Sequence, residues 1–484
     1  MQRRRLLRFP QGFVWGSATA ALQIEGREGR GLSVWDEFCD RFPERIFEAA
    51  TPRLACDHVR RWADDVAWMQ RLRHTGYRFS ISWPRVDPHG AGAFSTAGLD
   101  FYDRLIDALL EAGIAPNATL YHWDLPLALG KAACAWNRAQ SEASDPSALL
   151  GWEDPRTVER FAAYARVCFQ RLGDRVTLWG TLNEPAWTIL NGYVTALHPP
   201  ALHDYRAAVL ASHRLLQAHD AAVRGFRESG RDGAIGICLN ISPVLPASDG
   251  PGDAQAARLA DGLLNRWFLE PVMRGTYPQD VLDFYARRSL LPEGVAEQRI
   301  ARCDWLGVNY YYPHHASADS TRTEFSINNT GRAHEPCRLS IEGLFRFVRN
   351  PRGRYTDWAW EIDPDALELV LREVHAICPD MPLYITENGL GLDDAWVDGE
   401  IDDAPRIAFV RDHLAAVHRA IEAGVDVRGY YMWSLLDNFS WINGYKKRYG
   451  FLHVDRETLA RTPKRSAHWF AEVSESNAVA VDVS

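Results

Sequence analysis

The sequence predicts an α/β fold in which eight strands form a single (β/α)8 TIM barrel. Eight short, apolar, β-prone runs recur along the 484 residues, and stretches with helical period lie between them. Runs that are apolar almost throughout are typical of parallel strands buried on both faces. No linker divides the chain, so we expect one domain over residues 1–484, with long strand-to-helix loops at the C-terminal face.

The predicted elements follow one another in a regular order. The strands are FVWGSATA from Phe13, YRFSISW from Tyr77, APNATLYHW from Ala115, VTLWGTLNE from Val176, GAIGICLN from Gly233, DWLGVNYY from Asp304, PLYITENG from Pro382 and VRGYYMWSLL from Val427. Helices are predicted between them over Val59–Leu72, Gly98–Ala112, Thr157–Leu172, Ala207–Arg224, Pro364–Ile377 and Pro405–Ala423.

Composition and charge argue against several other classes of protein. No run of about 18 apolar residues could span a membrane, and a formal net charge of −9 argues against a nucleic-acid or membrane-surface binder. The eight cysteines contain no C-x-x-C pair, the histidines show no H-E-x-x-H spacing, and the basic start MQRRRLLRFP has no apolar h-region. We therefore expect a reduced, cytoplasmic enzyme without metal or cofactor, and a homo-oligomer remains open.

Polar and aromatic residues collect where the predicted strands end. In a TIM barrel the chemistry lies at the C-terminal ends of the strands. The residues found there are Gln23, Arg78, His122, Trp123, Asn183, Glu184, Asn309, Tyr311, Glu387, Asn388 and Trp433. The chain also has 18 tryptophans. Core packing explains most of them, and a sugar-binding cleft would explain a surplus at strand ends, because sugar faces stack on aromatic rings.

Two of these residues are carboxylates on the same rim, Glu184 in TLNEP and Glu387 in YITENG. A single strand-end glutamate is more often a salt-bridge partner or a helix cap than a catalyst. Two of them, each beside an asparagine and on one rim with Arg78 and His122, favour glycoside hydrolysis. One carboxyl group would protonate the glycosidic oxygen while the other attacks or stabilises the anomeric carbon, and a separation of about 5–5.5 Å would give retention.

The motifs YRFSISWPRV, LYHWDLP, TLNEP, YITENG and WSLLDNF give the chain a family resemblance. It resembles the family 1 glycoside hydrolases, the retaining β-glycosidases of the β-glucosidase type, from FPQGFVWGSATAALQIEG at Phe9 to PKRSAHWF ending at Phe470. The resemblance implies a two-step mechanism through a covalent glycosyl-enzyme. Glu387 corresponds to the nucleophile and Glu184 to the general acid/base.

The same resemblance implies roles for the neighbouring residues. Arg78 corresponds to the partner that keeps Glu387 ionised, Asn183 to the donor to the sugar 2-hydroxyl, and Tyr311 to the hydrogen-bond partner of the nucleophile. The positions expected to bind the glycon or to lie beside it are Gln23, His122, Trp123, Asn309, Trp433 and Trp441. Glutamate stands at position 184, where related thioglucosidases carry glutamine, so we expect activity on O-glycosides.

The run NFSWINGYKKRYG departs from the common family pattern. Most relatives read NFEW there, and their glutamate binds the 4- and 6-hydroxyls of the sugar. Ser440, Lys447 and Tyr449 instead match the triad that holds the 6-phosphate in 6-phospho-β-glycosidases. A carboxylate about 4 Å from a phosphate would repel it by about 4 kcal/mol per charge pair at an effective dielectric near 20. Alternatively, the basic residues form an ordinary solvated turn, Tyr449 only packs, and the lost glutamate relaxes glycon specificity.

Two connections also differ from the family pattern. Residues 130–151 form a longer connection than usual, which either lines the aglycone entrance or is an inert surface insertion. Residues 313–355 are predicted to be irregular, and their position on the active-site side favours an entrance lid over a partner-binding site.

Two other functions compete with hydrolysis. One is a non-catalytic sugar-binding protein on the same fold, which the two complete carboxylate motifs argue against. The other is transfer of the glycosyl group to an alcohol or sugar acceptor, which shares the covalent intermediate and is left open. The sequence also leaves open the choice between gluco and galacto substrates.

Overall fold

Eight parallel strands form a closed barrel in the computed structural model, which describes residues 4–138, 147–319, 323–327, 337–341 and 343–482. The barrel strands are β1 Val14–Ala18, β2 Gly76–Ser80, β3 Ala115–Tyr121, β4 Leu178–Asn183, β5 Ala234–Asn240, β6 Trp305–Asn309, β7 Leu383–Asn388 and β8 Val427–Trp433. Each strand pairs with the next along the chain, and β8 pairs with β1 to close the sheet. The predicted barrel is therefore confirmed.

Helices lie between the strands, and the six predicted ones are all present. The helices of eight or more residues are α1 Val34–Arg41, α2 His58–Arg71, α3 Thr96–Glu111, α4 Pro155–Leu172, α5 Tyr205–Glu228, α6 Pro251–Asp261, α7 Trp267–Arg274, α8 Gln279–Arg287, α9 Pro364–Ile377, α10 Ala404–Glu422 and α11 Arg465–Ser476. Within the described ranges, no helix is long and apolar enough to cross a membrane.

Local sequence signals explain where three of the longest helices begin. Asp154, Asp204 and Asp363 precede α4, α5 and α9, and each side chain accepts a hydrogen bond from a backbone N–H of the first turn. Pro155 and Pro364 occupy the first helical position, where proline costs no hydrogen bond. These caps end the preceding loops at fixed points and so position the strands that follow.

Packing inside the barrel requires glycine where β1 approaches β2. A Cβ atom on Gly16 would lie 2.0 Å from the carbonyl oxygen of Gly76, so no larger residue fits. Around the barrel, the largest fully buried side chains include Trp15, Trp179 and Trp305. The core therefore accounts for part of the high tryptophan content. Only the tryptophans outside the core can support the interpretation of a sugar-binding cleft.

The predicted strand runs extend too far at their C-terminal ends. YRFSISW was expected to continue to Trp83, but β2 ends at Ser80 and a short helix covers Trp83–Val86. The predicted run VRGYYMWSLL likewise extends beyond β8, which ends at Trp433. The N–H of the next residue, Ser434, donates to the carbonyl of Tyr449 and not to a barrel neighbour. At both ends the chain leaves the sheet while its side chains, such as Trp83 and Leu435, stay fully buried.

The two unusual connections contain regular structure in their described parts. The prediction that 313–355 is irregular is wrong there. His314–Ser317 pairs with Arg346–Val348 and with Val244–Pro246 in a three-stranded sheet, and Thr323–Ile327 pairs with Cys337–Ile341. In the connection 130–151, residues 135–138 are helical, and residues 139–146 lie outside the described ranges.

Candidate active site

A cavity of about 120 Å³ lies at the C-terminal mouth of the barrel. The residues that line it are Gln23, His122, Trp123, Glu184, Trp187, Asn191, His198, Asn240, Tyr311, Tyr312, Trp360, Glu387, Trp433, Ser440, Trp441, Ile442, Asn443 and Tyr449. Most of the strand-end residues selected from the sequence thus meet in one place. Arg78, Asn183 and Asn309 contact these residues from behind the cavity wall.

Irregular backbone at two strand ends supports the carboxyl groups. Glu184 follows β4, whose pairing with β5 shifts register between Gly180 and Asn183. Glu387 lies in β7, whose pairing with β6 shifts between Ile385 and Glu387. Such bulges commonly re-aim side chains beside active sites. Glu184 also has a left-handed backbone, with φ 47° and ψ 58°, and directly precedes the short helix Pro185–Ile189.

Glu387 is buried between two donors. The Arg78 guanidinium donates from Nη1 to Oε1 at 2.7 Å, and the Tyr311 hydroxyl donates to Oε2 at 2.8 Å. Burial raises the pKa of Glu387, and the charge of Arg78 and the hydrogen bonds of Arg78 and Tyr311 offset only part of this rise. The two donors therefore favour the ionised form of Glu387 against the cost of its burial.

Glu184 has a weaker set of partners. Its Oε1 accepts a hydrogen bond from Asn309 Nδ2 at 2.8 Å, and the side chain is buried. Burial and then the charge of Glu387 raise the pKa of Glu184 to about 8, against which Asn309 and the more distant Arg78 act. When the pair shares one proton near neutral pH, Glu184 therefore holds it.

A chain of side-chain amides fixes the proton position on His122. Asn183 accepts at Oδ1 from Arg78 Nη2 at 2.6 Å and from Asn309 Nδ2 at 3.0 Å, so its Nδ2 is the donor to His122 Nε2 at 3.0 Å. Burial and then the charge of Arg78 hold the pKa of His122 far below its usual value. The neutral ring thus carries its proton on Nδ1, a buried atom without a partner among the described residues.

Gln23 supplies an acceptor to complement this donor. Its Nε2 donates to the carbonyl of Phe439 at 2.7 Å, which fixes the amide, and its Oε1 is buried without a partner in the described chain. A buried polar atom that lacks a partner is costly in an empty site and favours a ligand that supplies one. His122 and Gln23 thus offer one donor and one acceptor at the cavity wall.

Aromatic rings form the other side of the cavity. The rings of His122 and Trp433 stack with centroids 5.7 Å apart, and those of Trp123 and Trp441 lie 4.7 Å apart. Trp123 Nε1 donates to the carbonyl of Asn183 at 3.0 Å, which ties this wall to the strand that leads to Glu184. Indole rings fixed in this way present flat apolar surfaces to a sugar ring.

The NFSWINGYKKRYG segment folds back onto this wall. Ser440 and Tyr449 line the cavity, whereas Lys447 lies behind it and is only 1% exposed. The Lys447 Nζ is 5.1 Å from the ring centroid of Trp358 and 4.7 Å from that of Trp360. Burial lowers the pKa of Lys447 to about 7. The interpretation of this segment as a solvated turn is therefore wrong for Lys447.

Sequence reasoning missed several residues that line the cavity. Trp360, Tyr312 and Asn240 all contribute, and so does Trp187 in the short helix after Glu184. The paired tryptophans of the run DWAWEID were a usable signal for Trp360. The described residues of the 130–151 and 313–355 connections do not line the cavity. Across the described chain, no cluster of His, Cys, Asp and Glu is arranged to hold a metal ion.

Two buried carboxyl groups in unequal surroundings, beside an aromatic wall at the mouth of a TIM barrel, are the arrangement that glycoside hydrolysis requires. Comparison with known proteins identifies the family. The chain belongs to glycosyl hydrolase family 1, whose model matches residues 6–479.

Individual relatives match over nearly the whole chain. Beta-glucosidase A of Acetivibrio thermocellus is 39% identical, and the match covers 97% of this chain and 98% of that protein. Aryl-phospho-beta-D-glucosidase BglC of Bacillus subtilis is 38% identical with the same coverage. The solved structure of a beta-glucosidase from Thermotoga maritima in complex with glucoimidazole has a TM-score of 0.83 and 38% identity, covering 97% of this chain and 99% of that chain.

Proposed function

We propose that this protein is a retaining exo-β-glycosidase that hydrolyses β-D-glucosides or related β-glycosides by a two-step mechanism. The observation that carries the proposal is the unequal surroundings of the two carboxyl groups. Glu387 accepts from a guanidinium and a tyrosine hydroxyl, whereas Glu184 accepts from a neutral amide. One group is thus prepared as a nucleophile and the other as a proton donor.

In the first step, an oxygen of Glu387 attacks the anomeric carbon and the glycosidic bond breaks. Glu184 donates its proton to the departing oxygen, so the leaving group departs as a neutral alcohol. The product is an ester between Glu387 and the sugar. Arg78 and Tyr311 hold the attacking carboxylate in place and keep it ionised before the attack.

In the second step, water attacks the anomeric carbon and breaks the ester. The ester carries no charge, so the repulsion that raised the pKa of Glu184 is gone and its carboxylate accepts the proton of the water. Glu387 leaves as a carboxylate, and the original protonation of the pair returns. The same ester can pass its sugar to an alcohol or sugar acceptor in place of water.

We assign glycon binding to the residues around this pair. His122 Nδ1 and Gln23 Oε1 would bind sugar hydroxyls, since both atoms lack partners among the described residues. The Asn183 amide, held by Arg78 and Asn309, would bind beside the nucleophile. Trp433, Trp441 and Trp123 would pack against the ring. The glucoimidazole complex of the Thermotoga maritima relative supports a site of this kind.

We further propose that the glycon carries a 6-phosphate, held by Ser440, Lys447 and Tyr449. Ser440 and Tyr449 bring hydroxyl groups to the cavity, and no carboxylate stands at position 440 to repel an anion. The Nζ of Lys447 lies 4.7 Å from the ring centroid of Trp360, which lines the same cavity. A phosphate beside Lys447 would raise its pKa and hold the ammonium form.

The alternative is a β-glucosidase that acts on unphosphorylated sugars with relaxed glycon specificity. The position of Lys447 favours this alternative, since Lys447 lies behind the cavity wall and not among the lining residues. The names of the two relatives, beta-glucosidase A and aryl-phospho-beta-D-glucosidase, represent both possibilities at nearly equal identity.

The deciding experiment compares kcat/KM for p-nitrophenyl β-glucoside and its 6-phosphate, with the galacto pair alongside. A preference of about a hundredfold for the phosphorylated sugar, or about 2.7 kcal/mol, is expected from a charge-assisted grip. Lys447→Met should remove most of that preference. Lys446→Met is the matched control, since the Lys446 Nζ lies over Phe47 and should leave the ratio unchanged.

Each of the other outcomes has a distinct meaning. A preference for the plain glucoside would reject the phosphate site and leave the glycosidase assignment intact. Activity on none of the four substrates would reject the glycosidase assignment and favour a sugar-binding protein.

We also propose that residues 1–484 act as one catalytic domain in the cytoplasm. Near the two ends of the chain, Arg4–Arg8 pairs with Ala478–Asp482 beside the barrel, which supports a single unit. Seven of the eight cysteines, those whose side chains the structure describes, are free and buried, as is usual in a reducing compartment.

A further inference from the structure

A second cavity, of about 500 Å³, lies outside the barrel mouth between α5, α7 and α8. It shares no lining residue with the cavity at the barrel mouth that contains Glu184 and Glu387, which we call the sugar cavity. The segment that follows Glu184 separates the two, because Trp187 and Asn191 face the sugar cavity while Ala186 and Leu190 face the second one. The volume falls within the range of about 300–1,000 Å³ that is typical of small-molecule sites.

The interior of this second cavity is largely apolar, and the polar groups of Trp267 and Ser212 in its wall already have hydrogen-bond partners. Trp267 and Tyr285 contribute rings, and Ala208 and Leu264 contribute aliphatic surface. The Trp267 Nε1 donates to Ser212 Oγ at 2.8 Å, and Ser212 Oγ donates to the carbonyl of Val209 at 2.7 Å. A surface of this kind offers water few hydrogen bonds, so an apolar ligand would replace water at a net gain.

A cation stands where the second cavity reaches the surface. Arg288 lines the cavity and is exposed, and its guanidinium lies 4.0 Å from the ring centroid of Phe284. Within the described ranges no carboxylate pairs with Arg288, and no acidic residue lines the cavity. His203, which is also exposed, lines the same cavity. Among the described lining residues, Arg288 thus carries a positive charge that no lining carboxylate neutralises.

From the apolar interior and the single cation at its opening, we propose that this cavity binds an amphiphilic carboxylate. The apolar body would lie against Trp267, Tyr285 and Ala208, and the carboxylate would pair with Arg288. A neutral apolar molecule would leave the guanidinium unused, and a cationic amphiphile would be repelled by it. Neither the glycosidase reaction nor the proposed phosphate site accounts for this cavity, and the inference does not depend on them.

The test titrates the full-length protein with decanoate, below its micelle concentration, by isothermal calorimetry. One molecule should bind per chain, and decylammonium, which has the same tail and the opposite charge, should bind much more weakly. Arg288→Gln should weaken decanoate binding about fivefold, the gain of one partly exposed ion pair. Arg287→Gln is the matched control. It removes the same charge from the neighbouring residue, whose side chain does not line the cavity.

Filling the cavity gives an independent check. Ala208→Phe places a ring inside it and should abolish decanoate binding while p-nitrophenyl glycoside hydrolysis continues. Leu290→Trp, at a lining position that is only partly buried, serves the same purpose if Ala208→Phe does not fold.

Three binding results, and one inhibition result, would each overturn the proposal. The binding results are absence of decanoate binding to the native protein, equal binding of decylammonium, and decanoate binding that both filled variants retain. Competitive inhibition of glycoside hydrolysis by decanoate, unaffected by the filled variants, would place the ligand in the sugar cavity and would also overturn it.

Discussion

Replacing Glu387 by glutamine should lower the pKa of Glu184 substantially. The substitution keeps the size of the side chain and removes its charge. Burial and then the charge of Glu387 are the two causes that raise the pKa of Glu184 to about 8. Burial remains in the variant, so the expected fall measures the second cause alone.

The size of the fall follows from the charge pair. Two carboxylates about 5 Å apart, the separation expected of a retaining enzyme, repel each other by about 3 kcal/mol at an effective dielectric near 20. At 1.36 kcal/mol per unit, this corresponds to about 2 units of pKa. The pKa of Glu184 should therefore fall from about 8 to about 6 in Glu387→Gln.

The assay is carbon NMR of the side-chain carboxyl groups, with the Glu184 signal assigned from its loss in Glu184→Gln. The titration of Glu184 is followed in the native protein and in Glu387→Gln. Glu373→Gln is the control, since Glu373 is an exposed glutamate on α9 and does not line the sugar cavity. A Glu184 pKa that stays near 8 after neutralisation of Glu387 would refute the proposed coupling, because burial alone would then explain the shift.

Two further predictions follow from the buried charges. The kcat/KM for a β-glycoside should fall as pH rises through about 8, because Glu184 is active in its protonated form and its pKa is raised to that value; a rate that stays constant to well above pH 8 would contradict this. Lys464→Met should destabilise the fold by about 3–5 kcal/mol in chemical denaturation, because the buried Nζ lies 2.7 Å from Asp437 Oδ1 and 2.5 Å from Asp394 Oδ2. Arg465→Met, at an exposed pair with Asp402, should cost no more than about 1 kcal/mol, and an equal cost for both variants would contradict the expected cost of breaking a buried pair.

The barrel could be predicted because its strands leave a simple signal. Buried parallel strands are apolar on both faces, and each is followed by a helix whose apolar stripe covers the sheet. The helices between β5 and β6 were not predicted. In that stretch a π-helical segment, Gly262–Arg266, interrupts the helical period between α6 and α7, and Pro271 lies inside α7. The stretch therefore contains no long run with a regular helical period.

The site could be predicted only where residues stand at strand ends. Glu184, Glu387 and Arg78 follow from that rule and from the family motifs, and the structure brings them together. Trp360 and Asn443 lie in connections that fold back over the mouth, and no local pattern announces such a return. The burial of Lys447 was equally hidden, because Lys446 and Arg448 on either side give it the appearance of a charged turn. Its ring contacts come from residues 358 and 360, far away in the sequence.

The measurement that tests the central claim most directly traps the covalent intermediate. A 2-deoxy-2-fluoro β-glycoside with a good leaving group, offered with and without a 6-phosphate, should slow the second step and leave one sugar attached to each chain. Peptide mass spectrometry is then expected to locate that sugar on Glu387, with no label in Glu387→Gln. A label on another residue, or full turnover by Glu387→Gln, would contradict the assignment of Glu387 as the nucleophile.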